Sequence, residues 1–468
     1  MTSTDHDDSA ARIDAAIIVA GGEGRRLGLD KPEQMVGGRR LLDAALDAVA
    51  GAAVVVVGPA RTVPPGVVLV RERPSGGGPL AAVAAGLDAL SADARTIAVL
   101  AADLPEVDRG TVGALAALRA RTDAPVVLAE DPTGRVQYLL AVWDARTLRA
   151  AVAGVGDPTG LPLRAIVGAD AARLRCTVTD VDTPEDLRIA RRSPAAVRRT
   201  LRRGLPVLPV RTGPLVDGAV LAKPLVAAAP FPPIDQSAMD GWAVAGAGGV
   251  TTAPLRGPVR IALHTSGDET SARGEHGLPE TAAGPVADLL TGVGARVRRS
   301  PHLADTPEAF AAALRQNAAD VVAIIGATGR GAADRLRGAL EAAGAVLLVD
   351  GVDVRPGGSI LVATVPGGPV VLGLEGNPMA ALLGAALLGR PVCETLTGAA
   401  SRPEDLVALA DPNPDPRWRM LPAEPDGAER WHVPDSVATG HLAGAVGHRA
   451  IVLVPPLARA GDLVERLA

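Results

Sequence analysis

Aromatic residues, cysteine and lysine are scarce in this chain of 468 residues. There are one Tyr, two Phe and four Trp, so its cores must be filled mainly by Ala, Val and Leu. Such side chains bury little area each, and stability has to come from many small contacts. Only two cysteines occur, Cys176 and Cys393, far apart and outside any C-x-x-C pair, which excludes a disulfide framework and a cysteine zinc site. Lysine is nearly absent. Against 47 basic residues, Lys31 and Lys223 are the only lysines, so a lysine inside a glycine-rich loop stands out. The formal net charge of −5 lacks the positive field of a nucleic-acid-coating or polybasic membrane-surface protein. No apolar run approaches ~18 residues, and the polar, acidic start MTSTDHDDSAARID lacks a secretory pattern. No nucleic acid, no membrane span and a cytoplasmic location are therefore expected.

At roughly 150 residues per domain the length suggests about three domains. From Ala15 to about Arg192, short apolar runs (AAIIVA, AAVVVVG, VVLV, TIAVLAAD, APVVLAE, YLLAVW, RCTVTDV) alternate with helical stretches (LLDAALDAVAG, GPLAAVAAGLDAL, RGTVGALAALRAR, ARTLRAAVAGVG). That alternation predicts βαβ units, an α/β fold and a mainly parallel, Rossmann-like sheet, with ligands at the carboxyl ends of the strands. Residues 191–215 turn to Arg and Pro and read as a boundary with a short, solvated basic helix. A second α/β block runs from about Gly257 to Thr397, with strands in VRIALHTSG, VVAIIG, AVLLVDG, SILVATV and VVLGLEG and helices near 278–292, 307–318 and 331–343. From Ser401 the chain is Pro-rich, then forms short strands that suggest a small β domain. The expected division is 1–192, 193–256, 257–397 and 398–468.

The segment IIVAGGEGRRLGLDKPEQ carries the clearest chemistry. A strand ends at Val19–Ala20. Gly21 and Gly22 then let backbone N–H groups approach an anion closely. Arg26, Gly28 and Lys31 follow at the spacing GG-x3-R-x-G-x2-K, placing two cations where they can neutralise a triphosphate and its pyrophosphate leaving group. The pattern is neither a Walker loop nor G-x-G-x-x-G, so neither a P-loop ATPase nor a dinucleotide site is supported. A plain glycine turn with surface cations would explain GG alone, but not the whole set. Asp103, at the end of TIAVLAAD, and Asp182, after CTVTDV, both fall at expected strand ends. Mg2+ takes one or two carboxylates plus phosphate oxygens and water. Asp182 could instead simply cap the helix that begins at TPEDL, as could Thr183. GPLAAV, from Gly78 and Pro79, is a further glycine turn opening a helix and suits a base pocket.

Taken in order, VAGGEGRRLGLDK, GPLAAV, AADLP and DVDTPEDL resemble the MobA-like nucleotidyltransferase family, particularly the molybdenum cofactor guanylyltransferases, over residues 15–190. The resemblance implies a Mg-bound nucleotide whose α-phosphate is attacked by a phosphate of the acceptor. By position, it implies Ala20, Gly21, Gly22, Gly28, Gly78 and Pro79 at the nucleotide, Arg26 and Lys31 on the phosphates, and Asp103 with Asp182 at the metal. Cytidylyl- and adenylyl-transferring relatives also carry Asp at position 182, where guanylyltransferases often carry Asn. GTP is thus the first choice of donor and CTP the second.

The second half holds PPIDQSAMDGWAV (232–244), HTSGDET (264–270), IIGATGRGAADRL (324–336) and LEGNPMAALL (374–383). Singly, each is an ordinary turn or cap. Together they resemble the MoeA-like molybdopterin molybdenumtransferases over residues ~195–468, with GHLAGAVGHRAIVLVPP resembling the family's final β domain. The resemblance implies molybdopterin contacts from Asp235, Ser237, Asp240, Ser266, Gly267, Asp268, Gly326, Gly331, Asp334 and Asn377. Three departures stand out. The glycine loop lacks the family's Ser. Glu375 replaces the usual Pro before GNP. Only about fifteen residues separate DGWAV from the strand before SGDE, where the family has ~100, so its small inserted domain is largely missing. Three readings follow: molybdopterin binding beside the transferase, a bifunctional protein that also inserts molybdate, or a non-catalytic scaffold for pathway proteins or client molybdoenzymes.

Overall fold

The computed structural model describes residues 12–21, 28–214, 216, 218–223, 252–271, 278–315, 318–331, 335–427 and 429–468. The chain divides into two compact units, Met1–Ala196 and Val197–Ala468.

In the first unit seven strands form one sheet: β1 (Ala15–Val19), β2 (Ala53–Val57), β3 (Val68–Val70), β4 (Thr96–Ala101), β5 (Val126–Glu130), β6 (Val136–Asp144) and β7 (Ala172–Arg175). Their order is β3-β2-β1-β4-β6-β5-β7. β6 pairs antiparallel with both β4 and β5, and the remaining pairs are parallel. The apolar runs are nearly continuous because the sheet is buried on both faces. Ala16, Ile18, Val54, Val56, Ala98 and Leu100 meet Leu42 and Leu115 on one side. Ala15, Ile17, Val55, Val57, Ile97 and Val99 meet Leu80, Val83 and Leu148 on the other. The covering helices are Leu41–Ala48, Gly78–Ala89, Arg109–Thr122 and Ala145–Val155. One expected strand is displaced. RCTVTDV pairs only as far as Cys176, whose N–H donates to Glu130 O at 2.8 Å. The neighbouring β5 ends there, so residues 177–181 run on without a ladder.

The second unit centres on a six-stranded sheet of β8 (Arg260–Thr265), β9 (Arg296–Arg299), β10 (Val321–Ile325), β11 (Val346–Asp350), β12 (Leu361–Thr364) and β13 (Val370–Leu374), in the order β9-β8-β10-β13-β12-β11. The first four strands in that order are parallel, and β12 and β11 are added antiparallel. Its helices lie at Ala283–Gly292, Pro307–Leu314, Arg335–Ala342 and Pro378–Thr397. Beyond Ser401, strands Trp418–Pro425, Arg430–His432, Leu406–Leu409, Leu463–Arg466 and Ala450–Val454 pair in sequence, and the last returns to the first, closing a small β ring.

One further expectation changes. The Arg-rich helix Pro194–Gly204 is not a solvated linker, because Val197 and Leu201, one turn apart, are buried in the second unit's core with Leu205. Pro378–Thr397 is the one helix among the described residues long and apolar enough to cross a membrane by length and composition. Here Met379, Leu383, Leu387, Val392 and Leu396 pack in the core.

Candidate functional site

In the first unit β1 and β4 run parallel in register, Val19 beside Ala101. The N–H of Ala102 donates to Val19 O at 3.0 Å, so the chain after Val19 and the chain leading to Asp103 leave the sheet side by side. Val181 N–H donates to Asp103 O at 3.1 Å, drawing the extended stretch before Asp182 to the same strand end. Helix Pro184–Arg191 is capped by Thr183, whose hydroxyl accepts from Asp186 N–H at 3.1 Å, while Asp186 Oδ2 accepts from the N–H groups of Asp182 and Thr183 at 3.0 and 2.8 Å. Thr183 therefore serves as the cap, and the Asp182 carboxylate takes a different partner. Lys31 Nζ lies 2.5 Å from Asp182 Oδ1 and 3.5 Å from Asp103 Oδ2.

The electrostatics follow from this placement. Burial disfavours the charged form of Asp103 and pushes its carboxyl up to about 6. Lys31 opposes that shift, and Asp180 and Asp182 add to it. Burial also works against the Lys31 ammonium, but the hydrogen bond to Asp182 and the charges of both aspartates outweigh it, leaving its pKa above the usual lysine range. Among the described residues no cluster of three or more His, Cys, Asp or Glu could hold a metal ion. What is present is a pair of hard carboxylates sharing one cation. That donor set fits Mg2+, which completes its shell with phosphate oxygens and water.

The glycine turn is braced by residues with no motif to announce them. Arg61 has a side chain only 4% exposed. Its Nη2 donates to Ala20 O at 2.9 Å, and its Nη1 lies 3.4 Å from Asp30 Oδ1 and 3.6 Å from Glu33 Oε1. It thus ties the chain before the turn to the chain after it. Gly58 must be glycine, because a Cβ there would lie 2.7 Å from Ala20 O and 2.8 Å from Ala20 C. Ala20 N–H donates to Val57 O at 2.7 Å and is committed to the sheet. Gly28 adopts φ +69°, a left-handed conformation suited to glycine. Gly22 and Arg26 lie outside the described residues.

Beside the turn is a cavity of about 350 Å³, lined among others by Gly21, Gly28, Leu29, Asp30, Arg71 and Glu72. Glu72 is 5% exposed. Its Oε1 accepts from Gly76 N–H at 2.9 Å, while its Oε2 is buried with no hydrogen-bond partner among the described residues. Gly78 and Pro79 open helix Gly78–Ala89 and do not line this cavity; Gly76, two residues earlier, does.

In the second unit a cavity of about 790 Å³ brings together Ser266, Gly267, Gly326 and Asn377. Gly326, at φ +99°, admits no side chain, since a Cβ would lie 2.7 Å from Ser266 Oγ. Asp268 is turned to a reciprocal pairing with Asp305: each backbone N–H donates to the other's carboxylate at 3.2 Å. Asp305 lines the cavity, and Asp268 and Gly331 do not. Asp235, Ser237, Asp240 and Asp334 lie outside the described residues. Ser359, Thr328 and Glu375 join the wall.

Residues 16–172 match the family described as "MobA-like NTP transferase domain", and residues 262–395 match the family described as "Probable molybdopterin binding domain". The chain thus carries, in this order, one region similar to each of these families. A curated molybdenum cofactor guanylyltransferase from Acidiphilium cryptum (strain JF-5) is 37% identical over 136 residues, 27% of this chain. The chain spans 65% of that relative's length. Among solved structures, a molybdopterin biosynthesis MoeA protein from Pyrococcus horikosii is 20% identical with a TM-score of 0.39, over 47% of this chain and 56% of its own. A molybdenum cofactor biosynthesis protein from Pyrococcus furiosus is 18% identical with a TM-score of 0.43, over 58% and 98%. Molybdopterin-guanine dinucleotide biosynthesis protein A from Archaeoglobus fulgidus is 18% identical with a TM-score of 0.31, over 38% and 96%.

Within the region that matches the MobA-like model, the structure gathers Lys31, Asp103 and Asp182 at one strand end. Sequence reasoning missed Arg61 and Glu72. The only signal for Glu72 was an acid placed four residues before a Gly-Gly-Gly turn, and for Arg61 there was none.

Proposed function

We propose that the MobA-like domain transfers a nucleotidyl group, GMP from GTP, to a terminal phosphate of molybdopterin or Mo-molybdopterin with release of pyrophosphate. The second half would bind the molybdopterin. The observation that carries this reading is the convergence of Lys31, Asp103 and Asp182 at one strand end. In-line displacement at a phosphate depends mostly on positioning and charge stabilisation. Asp103 and Asp182 would hold Mg2+, which when bound would offset triphosphate charge. Lys31 and Arg26 would face the phosphates, and the Gly21–Gly22 turn would let amides approach them. The cavity beside Gly21 would take the base. Glu72 supports guanine: its unpartnered Oε2 is an acceptor suited to the N1–H and N2–H donors of that base. Asp182 is the residue that favours CTP as the second reading.

The proposed domain division is 1–192, 193–256, 257–397 and 398–468, in a cytoplasmic protein. Tethering an acceptor-binding domain to the transferase would raise the local acceptor concentration. The missing inserted segment and Glu375 favour binding over molybdate insertion. The test is incubation of the full chain with labelled GTP, CTP or ATP and molybdenum-loaded molybdopterin, followed by product identification. Lys31→Ala and Asp103→Ala should each lower pyrophosphate release by at least about 100-fold. Near-normal turnover in either variant would refute the assignment.

A further inference from the structure

The most unusual feature of the larger cavity is a carboxylate lodged among hydrogen-bond donors. Glu375 stands just ahead of helix Pro378–Thr397, whose N-cap is Asn377 and whose first turn carries no acidic residue. Glu375 Oε1 accepts from Ser359 N–H at 3.1 Å and from Ser359 Oγ–H at 3.2 Å. Ser359 Oγ is 3.1 Å from Thr328 Oγ1, so a second hydroxyl supports the first. Thr328 is 2% exposed, which fixes that hydroxyl pair in place. Among the described residues no Arg, Lys or His lies within ion-pair distance of Glu375.

A backbone amide and a hydroxyl are donors that an oxyanion takes in a protein. Here the chain supplies the oxyanion itself. We propose that Glu375 is an internal occupant of the phosphate position in the second half. A phosphate-bearing pterin must displace it from Ser359 or lie against a like charge, so the domain holds its ligand loosely and releases it readily. This inference rests on the molybdopterin-binding reading of the second half and specifies how that binding is tuned. Loose retention suits a domain whose ligand is the acceptor for a second site on the same chain.

The test uses the full chain with Glu375→Gln, Glu375→Ala and the double variant Glu375→Ala/Ser359→Ala, titrated calorimetrically with molybdopterin and, by 31P line broadening, with inorganic phosphate. Removing the charge frees donors that are worth more to an anion than to a neutral group, so Glu375→Ala should lower the molybdopterin Kd at least about tenfold. Glu375→Gln should move in the same direction, and the double variant should lose most of the gain. A Kd for Glu375→Ala equal to or weaker than wild type, with an unchanged melting temperature, overturns the inference while leaving the binding reading intact. If Glu375→Ala instead gains phosphate binding but no variant binds molybdopterin, the donor cradle and its occupant stand and the pterin assignment falls. Absence of both kinds of binding in every variant overturns both. Should Glu375→Ala fail to fold, Glu375→Gln, which keeps the side-chain oxygen, decides the matter alone.

Discussion

Replacing Arg61 by alanine would separate the bracing of the glycine turn from its chemistry. The guanidinium makes one buried bond to Ala20 O at 2.9 Å and two longer approaches to Asp30 and Glu33. Those acids are 51% and 36% exposed, so each ion pair contributes at most ~1 kcal/mol, and both carboxylates stay hydrated when the cation is gone. The bond to the Ala20 carbonyl is charge-assisted and contributes about 2 kcal/mol. If that energy holds the turn in its working form, its loss lowers kcat/KM for the nucleotide by about 30-fold, at 1.36 kcal/mol per tenfold. Arg61→Lys should recover little, because one ammonium cannot replace a planar fork that reaches both ends of the turn. The assay is continuous pyrophosphate release across nucleotide concentrations, with the melting temperature measured in parallel. A variant that melts earlier yet keeps kcat/KM within about threefold would show that Arg61 supports the fold alone, and would refute this reasoning.

Glu72→Gln replaces an acceptor-only group by one that also donates, so GTP use should fall by about tenfold or more while CTP and ATP change little; an equal loss for all three would remove Glu72 from base selection. Asp131 gives a pH signature. Burial opposes its ionisation, but bonds from Thr133 Oγ1 and from the N–H groups of Arg135 and Thr133 outweigh it, so its folded pKa lies below the usual value of 3.8. A depressed folded pKa contributes stability above the unfolded value and loses it as pH falls through the folded one. Asp131→Asn should therefore cost about 2 kcal/mol in urea unfolding at pH 7, with the gap narrowing below about pH 4; a constant gap would contradict this. Burial pushes the Cys393 thiol up to about 12 and the Cys176 thiol up to about 11, so neither should react with a disulfide reagent at pH 8 until the chain is unfolded.

Much of the fold was legible because a sheet buried on both faces writes itself as uninterrupted Ala, Val, Ile and Leu. The strands that line up Val19 with Ala101 were visible for that reason, and with them the strand-end position of Asp103. RCTVTDV misled because its residues suit a strand, while the partner it would need has already turned at Asp131. The basic helix at 194–204 misled in the opposite way. Its four arginines, Arg198, Arg199, Arg202 and Arg203, outweigh the two apolar residues, Val197 and Leu201, that decide its burial. The glycine motif and the two aspartates were legible because the phosphate and metal chemistry proposed for them would constrain spacing along the chain. Arg61 and Glu72 act through space from connections with no such constraint, so single letters carry no signal for them. Glu375 was legible as an odd charge, but its hold on Ser359 depended on a loop that only folding brings near.

A protein with two lysines offers few primary amines to acylating reagents, and one of them, Lys31, is clamped between carboxylates with its proton held more firmly than usual. Amine modification of that position is accordingly suppressed while the clamp is closed. The yield of label at Lys31, read by mass spectrometry against Lys223 in the same molecule, becomes an internal gauge of whether the two aspartates have been drawn elsewhere, without any substitution or added probe.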